Sequence, residues 1–132
     1  MPDPRIRPIA ESTLKSWGAN LEAAHIRAFQ FGGHQMHGGD SWAVLSESTV
    51  KQKGFRTVLV RTGALQDSIF VDVSGLNLLI GTDKKYAVYH QTGTRHMPQR
   101  KVIDITRQDI DALVKSLTNN LGKQGFKVIR TI

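Results

Sequence analysis

Cysteine is missing altogether from the 132 residues, which removes disulfides, thiol nucleophiles and Cys-ligated zinc, and fits a reducing compartment. No apolar run approaches the roughly 20 residues that a bilayer-spanning helix needs. The opening MPDPRIRPIAES carries charges with no apolar stretch behind them, so it does not read as a secretory signal. Aromatic residues make up only 7%, and the eleven acidic residues are scattered without an obvious pair. A G-x-S-x-G elbow, a Walker-type glycine loop and a dinucleotide fingerprint are all lacking. Together these absences leave no reaction to propose, and the chain does not read as an enzyme. No cofactor is expected.

What is present is a globular composition, 39% hydrophobic and 22% charged, in a length that predicts one domain over 1–132. The formal charge is +7, and its distribution is uneven. From Arg95 onward there are eight basic and three acidic residues, against ten and eight in the preceding ninety-four. A skew of this kind suits nucleic acid or an acidic protein surface.

Along the chain, residues 1–8 hold three of the four prolines and read as an irregular leader. Leu14, Trp17, Leu21, Ala24 and Ala28 repeat at three and four, predicting a helix that Gly18 weakens by about 1 kcal/mol relative to alanine. FGGHQMHGGD, residues 31–40, reads as a mobile Gly/His loop over 32–40. Asp40 or Ser41 is placed to cap a second helix carrying Trp42, Leu45 and Thr49 and closing at Gly54. Thr62 caps a short turn with Leu65. Ile69–Val73 and Leu76–Ile80 alternate around Ser74-Gly75, predicting an antiparallel hairpin. Val102–Ile105 and Phe126–Arg130 read as further strands. Between them Thr106 and Asp109 form a capping box for a helix striped by Ile110, Leu113, Val114, Leu117 and Leu121, with Gly122 ending it. The fold class is α+β, a small and mainly antiparallel sheet with helices on one face. Its expected core is Trp42, Leu45, Leu65, Ile69, Ile80, Leu113 and Leu117. Each contributes about 1.5–3 kcal/mol if fully buried.

Two polar segments stand out. His34, His37 and Asp40 have the spacing H-x-x-H-x-x-D, but two Gly-Gly pairs argue against a rigid holder, and no metal is assigned. YAVYHQTGTRHMPQR, Tyr86 to Arg100, gathers two tyrosines, two histidines and two arginines. It predicts a short helix carrying Tyr86, Ala87 and His90, a stop at Gly93, and an arm stiffened by Pro98.

The middle of the chain resembles the bacteriophage virion morphogenesis family, the tail-completion and head-tail joining proteins of Mu-like phages. The matching pieces run in order: Trp42, Leu45 and Thr49 in SWAVLSEST, Leu59, Arg61 to Leu65 (RTGAL), Ser68-Ile69, Ile80-Gly81, Tyr86 to Gly93 (YAVYHQTG), then Met97-Pro98 and Arg100. They span about residues 40 to 120. Where family members continue with a Phe-Leu-Gly type segment, this chain has Lys101-Val102-Ile103-Asp104. The resemblance implies a virion component assembled in the host cytoplasm, partnered by its own copies in a ring and by other tail or head-joining proteins. Ring subunits need head-to-tail surfaces. Tyr86, His90, Arg95, Met97, Pro98 and Arg100 are the candidate interface; Lys101, Lys115, Lys123, Lys127 and Arg130 are candidates for facing DNA in a lumen. The alternative is a free-standing basic nucleic-acid-binding module. A metal-dependent hydrolase on His34, His37, His90 and His96 ranks third, since no carboxylate is evidently paired with them.

Overall fold

The computed structural model describes residues 3–43, 63–95 and 97–127. In chain order these hold α1 (Ile6–Phe31), one 3-10 turn (Gln35–His37), α2 (Ala64–Ser68), β1 (Phe70–Ser74), β2 (Asn77–Gly81), α3 (Ala87–Thr92) and α4 (Arg107–Lys123). The class is α+β, as the periodicities predict: helices with a small two-stranded antiparallel sheet. Most of the expected second helix, including Leu45 and Gly54, lies outside the described residues, as do Thr62, the expected cap of the next turn, and most of the expected last strand.

The leader is shorter than the prolines suggest, because α1 begins at Ile6 and takes in Pro8. Pro8 sits in the first helical turn, where its missing N–H has no intrahelical acceptor in any case. Buried residues of α1 are Thr13, Trp17, Gly18, Leu21, His25, Ala28 and Phe29, so the inward stripe includes His25. Gly18 has a packing role that outweighs its low propensity. A Cβ there would lie 3.0–3.2 Å from Leu78, Val73 and Val71, the inward side chains of the hairpin. β1 and β2 pair from Phe70↔Gly81 to Ser74↔Asn77. They turn through Gly75-Leu76, with Gly75 at φ 60, a left-handed value that two-residue hairpin turns require. Val71, Val73, Leu78 and Ile80 face α1, while Phe70 and Leu79 are exposed on the other side.

The central cluster is Ala28, Phe29, Trp42, Leu65, Ile69, Ala87 and Val102. Trp42, Leu65 and Ile69 are therefore core, as expected. Ile80, Leu113 and Leu117 are only half-buried, and no residue of α4 is fully buried despite its strong apolar stripe. The capping box of Thr106 and Asp109 is present, with Thr106 Oγ1 accepting from the Asp109 N–H. The stop is three residues later than expected. Gly122 is helical, and Gly125, at φ 87, takes the left-handed position. Phe126 N–H on the Leu121 carbonyl (3.0 Å) and Gly125 N–H on the Gly122 carbonyl (3.0 Å) complete a Schellman motif.

The third strand does not form. Residues 102–105 are irregular, and side chains satisfy their backbone in place of a sheet partner. Gln91 Oε1 accepts from the N–H groups of Val102 (2.9 Å) and Ile103 (3.0 Å), and Gln91 Nε2 donates to the Ile103 carbonyl (2.6 Å). His25 Nε2 accepts from the Asp104 N–H at 3.0 Å. An alternating sequence forms a strand only where another backbone is offered, and here a glutamine takes that place.

Candidate functional site

Two polar sites emerge, one at the surface and one inside. The outer one begins with α3, whose Ala87 is buried while Val88 and Tyr89 are 61% and 58% exposed and Tyr86 is 42% exposed. The helix stops at Gly93, at φ 75, where a Cβ would come within 2.9 Å of the Gln99 nitrogen. Glycine is needed there for both conformation and space. The chain then makes a tight turn closed by a Thr94–Met97 bridge, with Thr94 N–H to the Met97 carbonyl at 2.9 Å. It returns along α3. Gln99 Nε2 donates to the Gln91 carbonyl (2.8 Å), and the Arg100 N–H donates to the His90 carbonyl (2.7 Å).

This geometry divides the six candidate interface residues. Tyr86, Arg95 and Pro98 are exposed; His90 and Met97 are half-buried. Arg100 is 8% exposed and corrects the reading of a free arm running from Arg95 to Arg100. Its Nε donates to the Ala43 carbonyl at 2.9 Å, and burial lowers its pKa from the ordinary arginine value. The reason is the short turn: it folds the chain back on α3, so only the tip around Arg95 projects. The lysines Lys101, Lys115, Lys123 and Lys127 are all exposed, and Arg130 lies outside the described residues.

The inner site corrects the reading of a mobile Gly/His loop. His34 and His37 are buried, with the loop closed by Trp42 N–H on the Gly32 carbonyl (2.7 Å) and His34 N–H on the Asp40 carbonyl (2.9 Å). The glycines here serve close approach. A Cβ on Gly33 would meet Ser41 Cα at 2.6 Å, and one on Gly39 would meet the Asp104 carboxylate at 2.7 Å. His34 Nε2 contacts the Lys101 carbonyl (2.7 Å), which also accepts from Trp42 Nε1 (2.8 Å). His34 Nδ1 meets His37 Nε2 at 2.8 Å, and His37 Nδ1 meets Asp109 Oδ2 at 2.7 Å. Asp109 Oδ2 also accepts the Thr106 N–H (3.0 Å), and the Thr106 hydroxyl donates to the His37 carbonyl. A carboxylate is thus paired with His37, from a position seventy-two residues away.

His25 completes the cluster. Its ring lies 4.9 Å from His34 and 5.3 Å from His37. Nδ1–H donates to the Leu21 carbonyl (2.8 Å), which leaves Nε2 as the acceptor for Asp104. Burial pushes its pKa down to about 4, and the neighbouring histidines push the same way. Burial also lowers His34, against the pull of the Lys101 carbonyl. The sequence does carry a signal for His25: it stands four residues after Leu21 and three before Ala28, a polar side chain inside an apolar stripe. His90 is elsewhere, with its ring 6.3 Å from Tyr86, and His96 lies outside the described residues. Among the described residues no group of three or more His, Asp or Glu is arranged to hold a metal ion. Nor is any described helix long and apolar enough to cross a membrane.

A cleft of about 380 Å³ opens between α1 and α4, with Ser16, Asn20, Ser116 and Asn119 on its walls and His37 and Asp109 among its lining. The two helices are tied at its ends by Trp17 Nε1 to the Asp109 carbonyl (2.7 Å) and by Asn120 Nδ2 to Thr13 Oγ1 (2.8 Å).

The class these features define is a small α+β domain that spends its buried polar groups on holding its own loops and displays a compact, partly aromatic surface projection. The chain belongs to the phage virion morphogenesis family, whose model matches residues 8–122. The match reaches well before Trp42 and takes in most of α1 and the histidine loop. No curated protein and no solved structure matches the chain. Membership assigns it a phage structural and assembly role.

Proposed function

We propose that the protein completes the phage tail or joins it to the head, as one 132-residue domain repeated in an oligomeric ring at the head-tail junction or tail end. The family match over residues 8–122 carries this reading. The exposed Tyr86, Val88 and Tyr89, followed directly by the Arg95 tip, support it as a contact surface, since aromatic residues and arginine are enriched at interfaces. Met97 and Pro98 shape that tip, His90 backs it, and Arg100 anchors its base. Neighbouring copies and other tail or head-joining proteins are the partners. The exposed Lys101, Lys115, Lys123 and Lys127 supply charge toward DNA passing through the lumen, a contact that is non-specific in sequence. Negative-stain imaging of the purified protein, alone and with isolated tails, tests the proposal: rings, or density added to one tail end, are expected. Monomers that leave tails unchanged and bind a defined DNA sequence in a salt-tolerant way would instead indicate the nucleic-acid-binding module.

A further inference from the structure

The buried histidine chain contains more hydrogen bonds than two neutral imidazoles can make. A backbone carbonyl and a carboxylate only accept, so His34 Nε2 against the Lys101 carbonyl and His37 Nδ1 against Asp109 Oδ2 each carry a proton. The contact between His34 Nδ1 and His37 Nε2 needs one more. Three protons on four ring nitrogens is one beyond the two that a pair of neutral rings holds. We infer that His34 and His37 share a single positive charge in the folded chain, held against the Asp109 carboxylate, and that this proton clasps the turn after α1 to the start of α4.

Burial and the closeness of the two rings oppose a charge on His34, and the groups facing the pair supply what offsets them. From α1, His25 spends one nitrogen on the Leu21 carbonyl and the other on the Asp104 N–H, so it contributes neither charge nor a free donor. From the irregular segment, the Asp104 carboxylate stands beside Gly39 and favours a protonated His34. From the loop, Asp40 offers His34 its carbonyl, and its side chain belongs to an exposed residue. From α4, Asp109 is the counter-charge, and Lys123 at the far end of the cleft is the remaining charged residue in its lining. Because His37 and Asp109 line that cleft, the proton exchanges with solvent without global unfolding. Asp109 also holds the capping box, so the clasp and the first turn of α4 form one network. Removing the proton leaves two lone pairs facing each other at 2.8 Å, and one of the three bonds is lost. The hold of α4 on the α1 turn is therefore weaker in alkaline than in neutral solution.

The direct test counts the ring nitrogens of His34 and His37 by NMR in the full chain labelled with nitrogen-15 histidine at neutral pH. Three protonated and one unprotonated nitrogen are expected; two of each would overturn the inference. Urea unfolding from pH 7 to 9 gives the second readout. Above the unfolded histidine pKa of about 6.5, folding takes up a proton, so the folding constant falls by up to tenfold per pH unit. In Asp109→Asn the counter-charge is gone, and this part of the alkaline slope should vanish. A variant that is weaker at every pH but keeps the wild-type slope would reduce Asp109 to a helix cap and defeat the clasp. If the variant does not fold, the nitrogen count in the wild type decides. Stoichiometric zinc in the purified protein, lost on chelation with a change in the His34 and His37 signals, would put a metal where the proton is placed and overturn the inference as well.

Discussion

Residues 32–40 and 93–100 look alike as sequence: each opens on glycine and has at least one histidine and a short polar run. Their fates are opposite. The first turns inward and buries two histidines against α4 and the segment at Lys101; the second turns outward and shows Arg95 at its tip. Polarity does not separate them. The two outer ring nitrogens of the inner loop meet partners from distant parts of the chain, and the two inner ones meet each other. The outer turn satisfies its backbone within itself, through the Thr94–Met97 bridge, and Arg95 is left to solvent. A polar residue is buried when partners wait for it, and these partners lie some seventy residues away in sequence.

The sharpest way to break this contrast is to empty the inner loop. His34→Ala with His37→Ala should cost on the order of 4 kcal/mol, because the Asp109 carboxylate and the Lys101 carbonyl lose partners and a cavity remains. An equilibrium urea titration reads it. Next, Gly33→Ala should cost more than Gly32→Ala. Both have positive φ, but only at Gly33 does the new Cβ collide with backbone, and thermal melts of the two variants rank them. Within the outer segment, Arg100→Ala should cost about 2 kcal/mol, whereas Arg95→Ala stays within about 0.5 kcal/mol. If Arg95 lies in the ring contact, its variant melts normally and leaves tails incomplete, which sedimentation with a complementation assay detects. On the acid side, His25 is neutral in the fold with a pKa of about 4, below its unfolded value near 6.5. The unfolded chain therefore binds the extra proton first, and stability should fall as pH drops from about 6.5 toward 4. His25→Gln should flatten that limb. The smallest effect is Leu117→Ala, at about 1–2 kcal/mol rather than a full core loss, since the residue is half-buried.

Local features were the legible part. The hairpin followed from alternation about Ser74-Gly75, α4 from its stripe and capping box, and the stop at Gly93 from glycine itself. The long-range features were not. Nothing near His34 announces Asp109, and nothing in Val102–Ile105 says that Gln91 will supply the partner of a strand. Gly33 and Gly39 read as flexible from composition alone, because what crowds them, the backbone at Asp40 to Trp42 and the Asp104 carboxylate, is brought close only when the loop folds back. The stretch from Tyr86 to Arg100 stands out in the sequence for its polar side chains, yet it also carries Ala87 and Gln91, whose work is internal.

Gly18 bears on where the hairpin can sit. At about 1.5 Å per residue, α1 is a rod on the order of 40 Å long. The absence of one methyl group cuts a notch in it, and Val71, Val73 and Leu78 from both strands drop into that notch together. A glycine that weakens a helix along its own axis thus works as an index mark across it, setting the sheet at one station on the rod and at one rotation about it.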